Sequence, residues 1–106
     1  MNSWILLLCA GIFEIGFTTC MKFSENFTQV KYTIGFVICA SCSFYLLNKS
    51  LSTIPLGTAY AVWTGIGAFG TAAVGMLFFN DPASTARIIL LLVLISSILG
   101  LKLVSA

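Results

Sequence analysis

Residues 56–79 read LGTAYAVWTGIGAFGTAAVGMLFF and contain no charged side chain. A helix needs about 20 mostly apolar residues to cross the hydrocarbon core of a bilayer. This stretch is long enough and apolar enough to do so. It therefore predicts a transmembrane helix, and it sets the class of protein to which the whole chain must belong.

Three further apolar runs flank this stretch and predict three more transmembrane helices. They cover residues 4–21, 32–47 and 86–101, and short polar segments separate them. Hydrophobic residues make up 59% of the chain and charged residues 8%, whereas a soluble domain carries roughly 25% charged residues. We predict an all-α membrane protein in which residues 1–106 form a single four-helix transmembrane domain.

The basic residues predict how the chain lies in the membrane. Four helices place both termini at one end of the bundle, here called the terminal face, and the opposite end is the loop face. Lys22, Lys31 and Arg87 flank the loop face, whereas Lys49 and Lys102 lie at the terminal face. An excess of Lys and Arg in cytoplasmic loops normally sets the orientation, and these numbers are nearly balanced. We predict insertion in both orientations and pairing as an antiparallel dimer; a weak bias toward one orientation is the alternative.

Glu14 is an acid in the middle of the first predicted helix. The other acids, Glu25 and Asp81, lie in loops, and no predicted helix contains a basic residue at middle depth. A charged side chain at the bilayer centre costs about 2.5 to 3.5 kcal/mol on insertion scales and usually marks a functional site. We predict that Glu14 binds a proton or a positively charged guest in turn. A permanently protonated glutamate bonded to a nearby hydroxyl is the alternative.

A pocket is predicted beside Glu14. Its walls are residues on the same face of the first helix and polar or aromatic residues at middle depth on the next two helices. Side chains three or four positions apart lie on one face of a helix, and aromatic faces attract cations. Ser43 on the second predicted helix is placed to orient Glu14, and Ser41 and the backbone are the alternatives. For the aromatic residues, core packing or interfacial anchoring is the alternative. The predicted lining residues are Gly11, Phe17, Thr18, Ser43, Tyr60 and Trp63.

Small residues on the last two helices predict motion and pairing. Gly65 and Gly67 lie within an apolar run, where paired glycines make a bend or a close helix crossing, and we predict a hinge there. Ser96 and Gly100 are four apart on the fourth helix and form a small face of the kind through which helices associate in lipid. We predict that this face packs in the dimer, with packing inside one subunit as the alternative.

Three motifs resemble those of the small multidrug resistance transporters, including their guanidinium-exporter branch. The first is the early Glu14 followed by the string Met-Lys-Phe-Ser-Glu-x-Phe-Thr at residues 21–28, and the second is Ser43-Phe44. The third is Ile-Pro-x-Gly-Thr-Ala-Tyr-Ala-x-Trp-x-Gly-Ile-Gly at residues 54–67. The resemblance covers essentially the whole chain. It implies a multi-pass protein of the inner (plasma) membrane that is a proton-coupled antiporter. It also implies an antiparallel dimer, in which both copies of Glu14 bind proton or substrate in turn.

The resemblance also implies roles for individual residues and a choice of substrates. Tyr60 and Trp63 would line the shared site and Ser43 would help to position Glu14. The residues around Thr64–Ala68 resemble the guanidinium exporters, but that branch usually has tryptophan at the position of Phe17. The stretch 16–28 looks more like the exporters of quaternary ammonium compounds. Small organic cations of both the guanidinium and the quaternary ammonium type are therefore expected substrates.

Two other classes of function are alternatives to antiport. The chain could be an accessory membrane subunit that transports nothing, or one half of a heteromeric exporter paired with a paralogue rather than with itself. An intramembrane enzyme has little support, because one buried carboxylate without histidine lacks a second group for acid and base chemistry. We expect no cofactor, no metal and no nucleic acid as a partner; the expected partners are protons, an organic cation, the lipid bilayer and a second subunit.

Overall fold

The computed structural model describes residues 2–104, which contain four α-helices joined by short turns. Helix α1 covers Ser3–Phe23, α2 covers Val30–Ser50, α3 covers Leu56–Phe78 and α4 covers Thr85–Val104. Each is long and apolar enough to cross a membrane. The predicted all-α fold with four membrane-spanning helices is therefore confirmed.

Most helices extend past the apolar run that predicts them. Helix α1 continues through Lys22 to Phe23, and α4 continues past Lys102 to Val104. A lysine near a helix end keeps its alkyl stem in the apolar region while its ammonium group reaches the headgroups, so it need not end the helix. Only α3 ends slightly earlier than its apolar run, because the backbone of Phe79 leaves the helical region.

Serine side chains stabilise the ends of two helices. Ser24 follows α1 and is fully buried; its Oγ donates to the Met21 carbonyl at 2.7 Å and accepts from the Phe27 N–H at 3.1 Å. Ser84 precedes α4, and its Oγ accepts from the Arg87 N–H at 3.2 Å. Such bonds satisfy backbone groups that a helix end leaves without partners. They make the connections short, so neighbouring helices run antiparallel.

The four helices lie side by side in a flat slab of about 43 × 34 × 18 Å. Helix α1 packs against both α2 and α3, while α4 packs against α3 alone within residues 2–104. A methyl group on Gly16 would lie 3.2 Å from Cys39 Sγ, and one on Gly35 would lie 3.0 Å from Cys20 Sγ, so thiols and glycines form the close α1–α2 contact. A slab this thin leaves both sides of the α1–α3 pair open.

The buried core lies toward the terminal face, where α1 and α3 meet. Its apolar members are Leu7, Ala10, Ile54, Ala59, Val62, Trp63 and Ile98. Many large apolar side chains elsewhere are exposed, among them Leu90 and Leu103 on α4. In a bilayer these side chains face lipid tails or a second protein chain, so their exposure carries no hydrophobic penalty. Glu14 lies one turn beyond this core.

Candidate functional site

Glu14 lies near the middle of α1 and faces α3. A methyl group placed on Gly67 would overlap the Glu14 carboxyl group, so the bare backbone of Gly67 provides the space that this carboxyl occupies. Glu14 Oε1 is buried and has no hydrogen-bond partner within the described part of the chain. Leaving a buried polar atom unpaired costs about 1 to 3 kcal/mol, and more for a charged group. A proton or a cation would remove that penalty.

Ser43 is fully buried and joins three helices. Its Oγ donates to the Ala10 carbonyl at 2.6 Å and accepts from Trp63 Nε1 at 2.9 Å. Ala10 is four residues before Glu14, and its carbonyl is the acceptor of the Glu14 backbone N–H in a regular α-helix. Ser43 therefore contacts the turn of backbone that carries Glu14, not the carboxyl group. Ser41, the competing candidate, is exposed and bonds to the Val37 carbonyl of its own helix.

The aromatic residues of α3 lie on two sides of this network. Trp63 is buried, with its ring centroid 5.4 Å from that of Phe44 on α2. The Tyr60 ring lies 5.8 Å from Trp63, but 57% of Tyr60 is exposed. Trp63 is thus fixed by packing and by its bond to Ser43. Tyr60 is free to contact a guest or a second subunit on the open side of the slab.

The three predicted lining residues on α1 face different neighbours. Phe17 packs toward α2, with its ring 6.1 Å from Phe44 and 5.7 Å from Phe36. Gly11 is buried, and a methyl group there would lie 2.5 Å from Ile66 Cγ2 on α3. The space next to Glu14 on the side of the terminal face is therefore filled by Ile66 in this conformation. Thr18, one turn below Glu14, bonds to Thr71 of α3 at 2.7 Å between hydroxyl oxygens.

The two glycines predicted as a hinge face opposite sides of α3. Gly67 faces Glu14 on α1, whereas a methyl group on Gly65 would lie 2.5 Å from Ile98 Cδ1 on α4. Helix α3 is continuous through both positions. Of the two interpretations of these glycines, a bend or a close crossing, the structure shows the close crossing. The hinge stays a prediction.

The small face predicted on α4 points away from the rest of the subunit. Ser96 is exposed and donates to the Leu92 carbonyl of its own helix at 2.8 Å. A methyl group on Gly100 would meet nothing within 4 Å. Packing inside one subunit, the alternative for these residues, is therefore not what the described chain shows. The face is available to a second chain.

Comparison with known proteins decides the family. The family model described as Small Multidrug Resistance protein matches residues 2–95. This chain belongs to the small multidrug resistance protein family. The family predicted from the motifs is therefore confirmed. Membership in this family makes the chain a multi-pass inner membrane protein, as predicted. It also makes the chain a transporter rather than an enzyme.

Curated relatives within the small multidrug resistance family match almost end to end. The guanidinium exporter of Yersinia pestis is 41% identical over 103 residues, which cover 97% of this chain and 99% of the relative. The probable guanidinium efflux system subunit GdnD of Bacillus licheniformis is 42% identical over the same length, again 97% and 99%. The guanidinium exporter of Salmonella typhimurium is 42% identical over 101 residues, 95% of this chain and 96% of that protein.

Sequence reasoning missed two parts of this small multidrug resistance site. One is the Ala10 carbonyl, because a backbone acceptor leaves no mark in residue identity. The other is Thr71, which lies 53 positions from its partner Thr18. The signal that could have indicated Thr71 is its position four residues after Gly67, since residues four apart share a helix face. Two threonine hydroxyls next to a buried carboxylate thus form a polar extension of the site.

Proposed function

We propose that this protein is a proton-coupled antiporter that exports small organic cations across the inner membrane. One observation carries the proposal: Glu14 Oε1 is buried over Gly67 and lacks a hydrogen-bond partner among the described residues. No lysine or arginine lies at this depth of the helices to neutralise the carboxylate. The group is therefore stable when it holds a proton or when a cation lies beside it. Because the two occupants compete, binding of one releases the other.

Competition at one carboxylate is enough to couple the two flows if the site opens to one side at a time. A charge moving through 100 mV gains about 2.3 kcal/mol, and each pH unit contributes about 1.4 kcal/mol per proton. Inward proton flow can then drive the cation outward against its gradient. In this account Gly65 and Gly67 allow α3 to rearrange. The pocket around Glu14 is lined by Gly11, Phe17, Thr18, Tyr60 and Trp63, and Ser43 positions the α1 backbone.

The working unit that we propose is an antiparallel dimer of this single four-helix domain. One subunit is a slab 18 Å thick, which cannot wall a site on all sides. A second copy packed against the face of the slab on which Tyr60 is exposed would cover Glu14 and the Tyr60 ring. The free face of Ser96 and Gly100 on α4 is suited to helix pairing in lipid. The nearly balanced distribution of basic residues supports insertion in both orientations.

Guanidinium-type cations are the first substrates to test. Relatives that match this chain end to end are named guanidinium exporters, and a planar guanidinium group can donate two parallel hydrogen bonds to one carboxylate. Quaternary ammonium compounds are the second class, because the exposed ring of Tyr60 beside Trp63 provides aromatic surface that attracts cations without N–H donors.

The test is transport by the purified protein reconstituted into liposomes with an imposed proton gradient. We expect proton-driven guanidinium flux by the wild-type chain and none by Glu14→Gln, which keeps the side-chain shape but cannot ionise. Glu25→Gln, a change in an exposed loop acid, serves as the matched control and should transport normally. Intact coupled flux in Glu14→Gln would refute the mechanism. Currents evoked by guanidinium and by an aromatic phosphonium on the same sample would separate the two substrate classes.

A second candidate is one half of a heteromeric exporter, or an accessory subunit that transports nothing alone. The observation that favours it is that one relative, at 42% identity, is named as a subunit of a guanidinium efflux system. Reconstitution of this chain by itself discriminates between the two. Flux from the chain alone supports the homodimer, whereas flux that requires co-expression with a paralogue supports the heteromer.

A further inference from the structure

A second polar space lies between α1 and α3, below Glu14 at the loop face. It is a cavity of about 140 Å³ whose walls include the hydroxyl groups of Thr18 and Thr71 and the charged groups of Lys22 and Asp81. Water occupies about 30 Å³ per molecule in the liquid and needs two to four polar partners in a protein. This cavity offers both the volume and the partners. It is therefore able to hold several water molecules.

The Thr18–Thr71 hydrogen bond lies between this cavity and the turn of α1 that carries Glu14. The Thr18 hydroxyl donates to the Ile15 carbonyl at 3.0 Å, and its oxygen lies 2.7 Å from the Thr71 oxygen. A hydroxyl has one hydrogen. Either hydroxyl can donate in the threonine pair, and Thr71 is the donor whenever Thr18 gives its hydrogen to Ile15. The lone pairs of Thr71 then remain available to water on the cavity side.

The register of the two helices places these groups in successive layers. Glu14 lies over Gly67, the threonine pair follows four residues later on both helices, and Lys22 and Gly75 follow after a further four. Four residues advance an α-helix by about 6 Å and keep the same face. A single polar file therefore runs along the α1–α3 contact, from the buried carboxyl to the loop face.

We propose that the Thr18–Thr71 pair is a gate through which water, and with it the proton, passes between the loop-face cavity and Glu14. The pair is closed in this conformation. It opens when the Thr71 side chain turns about χ1, for which threonine has two rotamers in a helix, so that its oxygen leaves Thr18 and a water molecule can enter between them. The charged groups facing the cavity are Lys22 and Asp81, and Arg87 lies 4.0 Å from Asp81. The role of the gate in transport rests on the proposed function, but its role in water access does not.

The decisive measurement is the rate at which the Glu14 carboxyl exchanges its proton with deuterium after mixing with D₂O. Infrared spectroscopy reads the C=O band of protonated Glu14, and subtraction of a Glu14→Gln spectrum removes the loop acids. We expect Thr71→Val to slow the exchange by about ten-fold, because valine has the shape of threonine but cannot bond to water. Thr71→Ser should restore the rate to within about two-fold of wild type, since one hydroxyl is retained.

Two further variants complete the experiment. Thr18→Val should slow exchange as Thr71→Val does, which covers the case in which one variant fails to fold. Thr33→Val removes a hydroxyl on α2 that bonds only to its own helix, at the Gln29 carbonyl, and should leave the rate unchanged. Guanidinium affinity should be the same in the Thr71 and Thr33 variants as in the wild type, whereas a packing defect at the site would lower it.

The outcomes separate the gate from the proposed function. Exchange at the wild-type rate in both valine variants would overturn the gate, and would show that protons reach Glu14 elsewhere, such as from the open side of the slab. Slowed exchange with serine rescue supports the gate even if the wild-type protein moves no guanidinium. In that case the proposed antiport fails and the water route stands.

Discussion

The indole Nε1 of Trp63 donates a hydrogen bond to Ser43 Oγ at 2.9 Å, and both residues are buried. Because Ser43 in turn donates to the Ala10 carbonyl, this bond connects α3 through α2 to the α1 turn that carries Glu14. The network fixes the backbone under the carboxyl group rather than the carboxyl group itself. Glu14 can therefore change partners without breaking this network.

Removal of the Ser43 hydroxyl should weaken the site without abolishing it. Ser43→Ala leaves the Trp63 N–H buried without an acceptor, which costs about 1 to 3 kcal/mol. We expect lower thermal stability and an increased KM for guanidinium, with coupling to protons retained. Ser41→Ala is the matched control, since Ser41 bonds only to its own helix. Equal effects of the two changes would contradict the role of the network.

A side chain at position 67 should displace Glu14. The methyl group of Gly67→Ala would overlap the carboxyl group, and overpacking of this kind costs about 1 to 3 kcal/mol. We expect guanidinium binding, measured by calorimetry, to be lost or to fall by at least about ten-fold. Gly57→Ala lies on the same helix in open space and should bind as wild type does. Normal binding by Gly67→Ala would show that the carboxyl does not need this space.

A side chain at position 65 should act on packing rather than on binding. Gly65→Ala places a methyl group 2.5 Å from Ile98 Cδ1, the flexible end of a side chain. We expect a fall in thermal stability that Ile98→Val, which lacks that terminal methyl, restores in the double variant. A double-mutant cycle on the melting temperature measures this coupling. Additive effects would show that the two residues do not share one contact.

The free face of α4 should control assembly. Leucine at Gly100 would enlarge a surface that now meets nothing within 4 Å, and close approach of helices in lipid depends on small residues. We expect Gly100→Leu to reduce the fraction of cross-linked dimer in membranes and to reduce transport in parallel. Gly57→Leu, a change of the same size at another open position, controls for bulk. An unchanged dimer fraction in Gly100→Leu would place the interface elsewhere.

Apolar run length predicted the number of helices because stretches of bilayer length must be mostly apolar to be stable in lipid. It did not predict their ends, since lysines such as Lys22 and Lys102 continue a helix into the headgroup region. Glu14 stands out in the sequence as a candidate because a carboxyl group in hydrocarbon is costly whatever surrounds it, and its role stays a prediction. The partners of Ser43 and Thr18 were not predictable, because they depend on how each helix is rotated about its axis. Ser43 was expected to orient Glu14 and instead bonds to the backbone at Ala10.

The exchange of proton for cation at Glu14 is tested most directly by counting the protons released when guanidinium binds. Calorimetric titration in buffers of different ionisation enthalpy gives this number, and it should be repeated across the pH range in which the protein stays folded. Our account predicts that wild-type protein releases protons on binding wherever Glu14 begins protonated, and that Glu14→Gln releases none. Guanidinium binding without proton release at every pH would contradict it.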